Sequence, residues 1–139
     1  MTASENLSAL KRCYELWNDT KGGSVDAWLD LFADNIDFKS LAMAQDPAID
    51  FTKPSQGKAE VIQYLEGLKS DWSMDHYTIA DYVVDGNTIC AFGSTAWTNK
   101  KTGKYMDTPK LDYIKFENGK IVFFFEFYDT ASLISCACD

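Results

Sequence analysis

Apolar residues follow two different rhythms along the chain, and the change comes near Trp72. Before that point the spacing is helical. Leu7, Leu10, Tyr14 and Trp17 follow steps of three and four, which predicts a helix over residues 4–19 with Ser4 as its N-cap. Thr20-Lys21-Gly22-Gly23 breaks it, and Ser24 is placed to cap a short second helix facing inward through Val25, Trp28, Leu29 and Phe32. Ile36 to Leu41 is predicted as a first short strand. Residues 42–56 carry two of the three prolines and no period. They read as a long loop with room for one helical turn, and loops of that length often act as lids. Ser55 opens a third helix through Lys69, with Val61, Ile62, Leu65 and Leu68 on one face.

After Trp72 the pattern is that of strands, predicted over 76–84, 88–98, 108–116 and 120–128. Asp85-Gly86-Asn87 and Glu117-Asn118-Gly119 read as tight hairpin turns, and residues 99–104 as a longer basic one. A last short helix is predicted over 130–134. Helices first and an antiparallel meander afterwards give an α+β fold with helices on one face of a curved sheet. Ile121-Val122-Phe123-Phe124-Phe125 is apolar at both parities, so both faces of that strand should be buried. The helices cover one face. A second copy of the sheet is expected on the other, giving an isologous homodimer through Phe123, Phe125 and Phe127; a loop laid over that face is the alternative.

Composition narrows the function classes. A chain of 139 residues with 46% hydrophobic and 24% charged residues is one globular domain, not a disordered segment. Residues 1–139 are read as a single domain with its core at about 5–134 and a tail at 135–139. The net charge is −8, and the 13 basic residues are spread thinly, which argues against a nucleic-acid partner. The N-terminal sequence lacks a signal-peptide pattern and no apolar run reaches a membrane span. The expectation is a cytoplasmic protein with no membrane partner and with reduced thiols. Cys13 and Cys90 fall in periodic apolar segments as core fillers. Cys136 and Cys138 form a C-x-C in the tail with no second ligand pair, so no metal site is expected.

Three local stretches carry a family resemblance. Residues 26–35, DAWLDLFADN, end in an aromatic residue, alanine and paired acids. Gly57-Lys58-Ala59-Glu60-Val61-Ile62 enters a helix. Phe116-Glu117-Asn118-Gly119-Lys120-Ile121, followed by Phe127-Tyr128-Asp129, forms a last hairpin. In order and spacing they resemble the nuclear transport factor 2-like superfamily, with its ketosteroid isomerases and SnoaL-like polyketide cyclases. The resemblance covers about residues 5–134. It implies a cone-shaped curved antiparallel sheet, a cystatin-like α+β barrel, with three N-terminal helices on its concave face and an apolar pocket inside. The lining it implies is Trp17, Ser40, Ala91, Gly93, Thr95, Trp97, Phe124 and Tyr128, and small Ala91, Gly93 and Thr95 would leave room for a hydrophobic ligand. No cofactor is implied.

Three polar residues stand out as catalytic candidates. Glu126 interrupts an otherwise aromatic run, and a carboxyl there must be paired, protonated or functional. Its position resembles that of a catalytic aspartate in limonene epoxide hydrolases; an ion pair with Lys110 or Lys115 is the structural alternative. Asp112, in Lys110-Leu111-Asp112-Tyr113-Ile114, resembles the isomerase acid that donates a proton to an oxyanion, unless it faces solvent. Tyr14 is similar to the isomerase's oxyanion tyrosine, or is a core aromatic. The isomerase general base would fall at Ser40, and a serine cannot shuttle a carbon-bound proton as a carboxylate does. His76 reads as a strand-edge surface residue and Asp129 as the cap of the last helix. The resemblance implies an acid–base isomerase, cyclase or hydratase acting on a small hydrophobic carbonyl or polycyclic compound. The alternatives are a non-catalytic ligand-binding module and an interaction dimer with a filled cone.

Overall fold

The computed structural model describes residues Thr2 to Asp139. Helix α1 (Ala3–Asp19) starts one residue before the predicted span, and its N-cap is Thr2, not Ser4. Thr2 and Glu5 form a reciprocal capping box, which satisfies two end donors at once. Helix α2 (Val25–Leu31) follows, with Ser24 at the N-cap position but making no side-chain capping bond. The chain then passes directly into strand β1 (Phe32–Ser40), four residues earlier than the predicted start. A short 3-10 helix (Pro47–Thr52) occupies the proline-containing loop, capped by Asp46. Next come the two-residue strand β2 (Ser55–Gln56) and helix α3 (Gly57–Asp71). The meander consists of β3 (Trp72–Asp85), β4 (Thr88–Asn99), β5 (Tyr105–Glu117) and β6 (Lys120–Tyr128).

These strands form one six-stranded sheet in the order β2-β1-β6-β5-β4-β3. The α+β class, the curved sheet and the packed helices match the expectation, but two details of the sheet do not. It is mixed, because β1 runs parallel to β6, with Ser40 beside Glu126. It is also open, with β2 and β3 at its edges, so it is not a closed barrel. The parallel pair needs a crossover through most of the chain, which no local turn signal announces.

The tail prediction also needs correcting. Helix α4 runs from Thr130 to Ala137, with Asp129 as its cap. Cys136 is buried, and the helix end is held from the basic turn, where Thr102 Oγ1 donates to Cys136 O and Lys104 Nζ to Cys138 O. Those donors meet carbonyls that helix geometry leaves unpaired. Among the described residues, no helix is long and apolar enough to cross a membrane.

The loop over residues 41–54 is locally constrained. Met43 and Ala44 both adopt positive φ, and buried Thr52 accepts from Ala44 N while donating to Ile49 O. Phe51 then lies on α3 at Gly67, where an added Cβ would come within 2.5 Å of Phe51 Cβ. A residue without a Cβ is therefore what lets the loop pack this close.

Candidate functional site

Strand β5 alternates strictly. Met106, Thr108, Lys110, Asp112, Ile114 and Phe116 are buried, while the residues between them face outward. The alternation therefore carries a lysine and an aspartate into the core two residues apart. Lys110 is 3% exposed and Asp112 is fully buried. Glu126 enters from β6, directly across the ladder from Asp112.

The charges are tightly arranged. Lys110 Nζ is 2.6 Å from Asp112 Oδ1 and 3.4 Å from Glu126 Oε2. Tyr14 from α1 and Tyr77 from β3 donate to the other Asp112 oxygen at 2.5 and 2.9 Å. Asp112 thus accepts from three donors, the pattern of a carboxylate held by its surroundings. Lys110 Nζ also lies over the rings of Tyr77 and Tyr128, 5.3 and 5.6 Å from their centroids. Burial alone would lower the Lys110 pKa, but Asp112 and Glu126 outweigh it and raise it, so the amine stays an ammonium. Burial raises the Glu126 carboxyl to about 7; Lys110 opposes that rise and Asp112 adds to it. Burial and the nearby carboxylates push the Tyr14 and Tyr77 hydroxyls well above their usual range, so both remain donors.

Beside this cluster lies a cavity of about 80 Å³. Its wall is largely aromatic, with Trp17, Trp28, Trp72, Trp97, Tyr77 and Phe124 among its residues. Phe51 from the proline loop and Leu133 from α4 contribute to it. Lys110 and Glu126 are the charged side chains on it. Thr95 holds Trp97 in place by accepting from its indole Nε1 at 2.7 Å while donating to His76 O. Tyr128, also on the wall, has its hydroxyl 2.6 Å from Ser40 Oγ. Among the described residues, no three His, Cys, Asp or Glu side chains gather as a metal site.

The structure brings Glu126, Asp112 and Tyr14 together, but in different positions relative to the cavity. Glu126 is on its wall, whereas Tyr14 and Asp112 are bonded to each other outside the lining. The role implied for Asp112, proton donor to an oxyanion, does not fit an oxygen pair already accepting from three donors. Trp17, Thr95, Trp97, Phe124 and Tyr128 are on the cavity wall, and Ser40 reaches it through Tyr128. Ala91 and Gly93 do not line it. Ala91 is buried opposite Asp112 on the ladder. Gly93 is small for a different reason: an added Cβ would fall 1.9 Å from Thr78 O, where the β3–β4 register shifts. His76 is half-buried, with Nε2 3.5 Å from Asp107.

Sequence reasoning gave Lys110 only the part of a salt-bridge partner and missed Tyr77. A signal for Lys110 was available, since it shares the parity of Asp112 on a strictly alternating strand. Tyr77 had none, because its partner lies two strands away across β4.

Known proteins of similar structure share the whole architecture. An NTF2-like protein of unknown function from Burkholderia pseudomallei K96243 superposes with a TM-score of 0.82 at 18% identity, covering 97% of this chain and 98% of that one. A candidate isomerase from Rhodopseudomonas palustris gives 0.75 at 18% identity, with 95% of each chain covered. A candidate SnoaL-like polyketide cyclase from Jannaschia sp. CCS1 gives 0.70 at 12% identity, covering 96% and 92%. At these identities the likeness speaks for the fold alone. No curated protein matches the sequence. The fold is that of the NTF2-like structures, and the SnoaL-like domain model matches residues 10–124, a span holding Tyr14, Lys110 and Asp112, so the chain belongs to the SnoaL-like family.

Proposed function

We propose that the protein is a general acid–base enzyme acting on a small hydrophobic carbonyl compound in the aromatic cavity. The observation that carries this reading is the pair on the wall: a carboxyl titrating at about 7 beside a buried ammonium 3.4 Å away. A base works best when its pKa lies near the working pH. Glu126 takes a proton from carbon next to the substrate carbonyl. The electron pair moves onto the carbonyl oxygen, where the Lys110 ammonium offsets the developing charge. Glu126 then returns the proton at another position, which isomerises the substrate, or the enolate attacks a second carbonyl and closes a ring. Asp112, Tyr14 and Tyr77 act indirectly, by fixing Lys110. Ser40 orients the Tyr128 hydroxyl and takes no proton from carbon.

Deuterium exchange tests this without knowledge of the natural substrate. Cyclic ketones incubated with the protein in D2O are followed by NMR. The wild type is expected to exchange protons alpha to the carbonyl, with a rate that rises through pH 7 as Glu126 ionises and then levels. Glu126→Gln is expected to lower the rate by roughly 10²-fold or more. Equal exchange by the variant and the wild type would overturn the assignment. Tight binding without any exchange would favour the ligand-binding module, the reading to which the serine at position 40 points.

We also propose a homodimer through the outer face of β5 and β6. Phe125 and Phe127 stack there at 4.4 Å, Phe123 and Tyr113 adjoin them, and Phe92 on β4 is 49% exposed. A cluster of exposed aromatics of this kind is typical of an association surface.

A further inference from the structure

We infer that the cavity selects an uncharged, single-ring compound carrying an oxygen acceptor beside an O–H donor, and that Glu126 excludes carboxylates. The inference rests on reading the Lys110–Glu126 pair as the substrate site, and it names the substrate class.

Charge comes first. Among the described residues Lys110 is the one cation on the wall, and it already faces two carboxylates, at 2.6 and 3.4 Å. With Glu126 ionised, the buried group Lys110, Asp112 and Glu126 carries one net negative charge; with Glu126 protonated it is neutral. An entering carboxylate would add a further negative charge with no free cation to meet it, and unpaired buried charge is strongly disfavoured.

Unused hydrogen-bonding capacity comes second. An ammonium has three donors, and two of these face Asp112 Oδ1 and Glu126 Oε2. The third faces no protein oxygen among the described residues, with the Tyr77 and Tyr128 rings beside it, and a ligand acceptor can take it. Lys110 contacts one Glu126 oxygen, Oε2; the other, Oε1, accepts from no protein group among the described residues. It remains for a ligand donor. A donor and an acceptor on neighbouring atoms of one ligand, as in an alpha-hydroxyketone, match these two positions together.

Size comes third. The cavity of about 80 Å³ is smaller than the roughly 150 Å³ apolar cavity that accommodates benzene in another protein. One ring is the largest apolar body this volume suits, and the wall must yield to take it. Of the two classes the resemblance implied, a small carbonyl compound fits this volume better than a polycyclic one.

The test is a matched series of one ring size, titrated calorimetrically at pH 7.5: 2-hydroxycyclohexanone, cyclohexanone and cyclohexanecarboxylate. The wild type is expected to bind the hydroxyketone at least tenfold tighter than the ketone and to show no binding of the carboxylate. In Glu126→Met the hydroxyketone advantage should disappear. The carboxylate should now bind, because its charge takes the place of the removed one beside Lys110. Carboxylate binding to the wild type, a hydroxyketone bound no tighter than the ketone, or no binding of any of the three would overturn the inference. The wild-type series decides even if the variant does not fold. Hydroxyketone binding with no deuterium exchange would remove the acid–base mechanism and leave this selectivity standing. Exchange that requires an anionic ketone would do the reverse.

Discussion

At their centre the two faces of strands β5 and β6 depart from the usual distribution of side chains. The inner face, packed into the core, carries Lys110, Asp112 and Glu126; the outer face carries Leu111, Tyr113, Phe123, Phe125 and Phe127. On the inner face the charges are made tolerable by one another and by two tyrosine hydroxyls. On the outer face Phe127 stacks on Phe125 and is still 37% exposed. Polar groups kept inside at a cost, and apolar groups left outside at a cost, both point to something beyond stability. The inner set fits chemistry and the outer set fits association.

The largest effect expected from breaking this contrast is at Lys110. Lys110→Met strands two buried carboxylates, and removing one partner of a buried charge group typically costs about 3–5 kcal/mol. Urea denaturation at pH 7.5 is expected to show that loss, and a loss below 1 kcal/mol would mean that the carboxylates are not both charged.

Glu126→Gln should act with opposite sign and only over part of the pH range. The folded-state pKa of Glu126 is raised from 4.5 to about 7, so its protonated form stabilises the fold fully below pH 4.5. That contribution is lost as pH rises through 7. The variant, which resembles the protonated acid, should match the wild type near pH 4 and be the more stable of the two above pH 7, by up to about 3 kcal/mol. Melting temperatures across pH 4–8 test this, and a constant difference between the two proteins would refute the raised titration.

Tyr14→Phe removes one of the three donors to Asp112. A hydrogen bond to a charged group is worth about 1.5–3 kcal/mol, and the remaining tyrosine and lysine should hold the loss near the lower end. If Tyr14 acts only by fixing Lys110, the variant should lower the rate of deuterium exchange without moving its midpoint near pH 7. A displaced midpoint would instead place Tyr14 in contact with the base.

The smallest effect on folding belongs to the outer face. Phe125→Asp is expected to change monomer stability by less than about 1 kcal/mol while converting a dimer to a monomer in sedimentation. A wild type that sediments as a monomer would remove the association half of the contrast.

The elements themselves were legible because their signals are local. The stripe from Leu7 to Trp17, the two hairpin turns and Asp129 as a cap all appear where the sequence put them. Glu126 was legible as an anomaly, since one carboxyl in a run of aromatics has few uses. What could not be read was which groups meet it. Tyr77 approaches from two strands away, and Ser40 arrives by a parallel pairing that no turn encodes. Gly93 misled for the same reason: its small size answers to the backbone of a neighbouring strand, a contact that no single stretch of sequence records.

The parallel pairing of β1 with β6 also governs when the site can exist during synthesis. Ser40 and Tyr128, which share a hydrogen bond, are 88 residues apart in the chain. While the ribosome is still making β5, β1 has no neighbour on that side, and Phe38 lacks Phe124, the ring it stacks on. Helices α1 to α3 and the β3–β4 hairpin can form earlier from closer contacts, but Phe124, Glu126 and Tyr128 reach the cavity wall only with the last strand. The cavity wall is therefore incomplete until Glu126 and Tyr128 have emerged, and a ribosome stalled before β6 carries two unpaired strand edges where the finished protein has its Lys110–Glu126 pair.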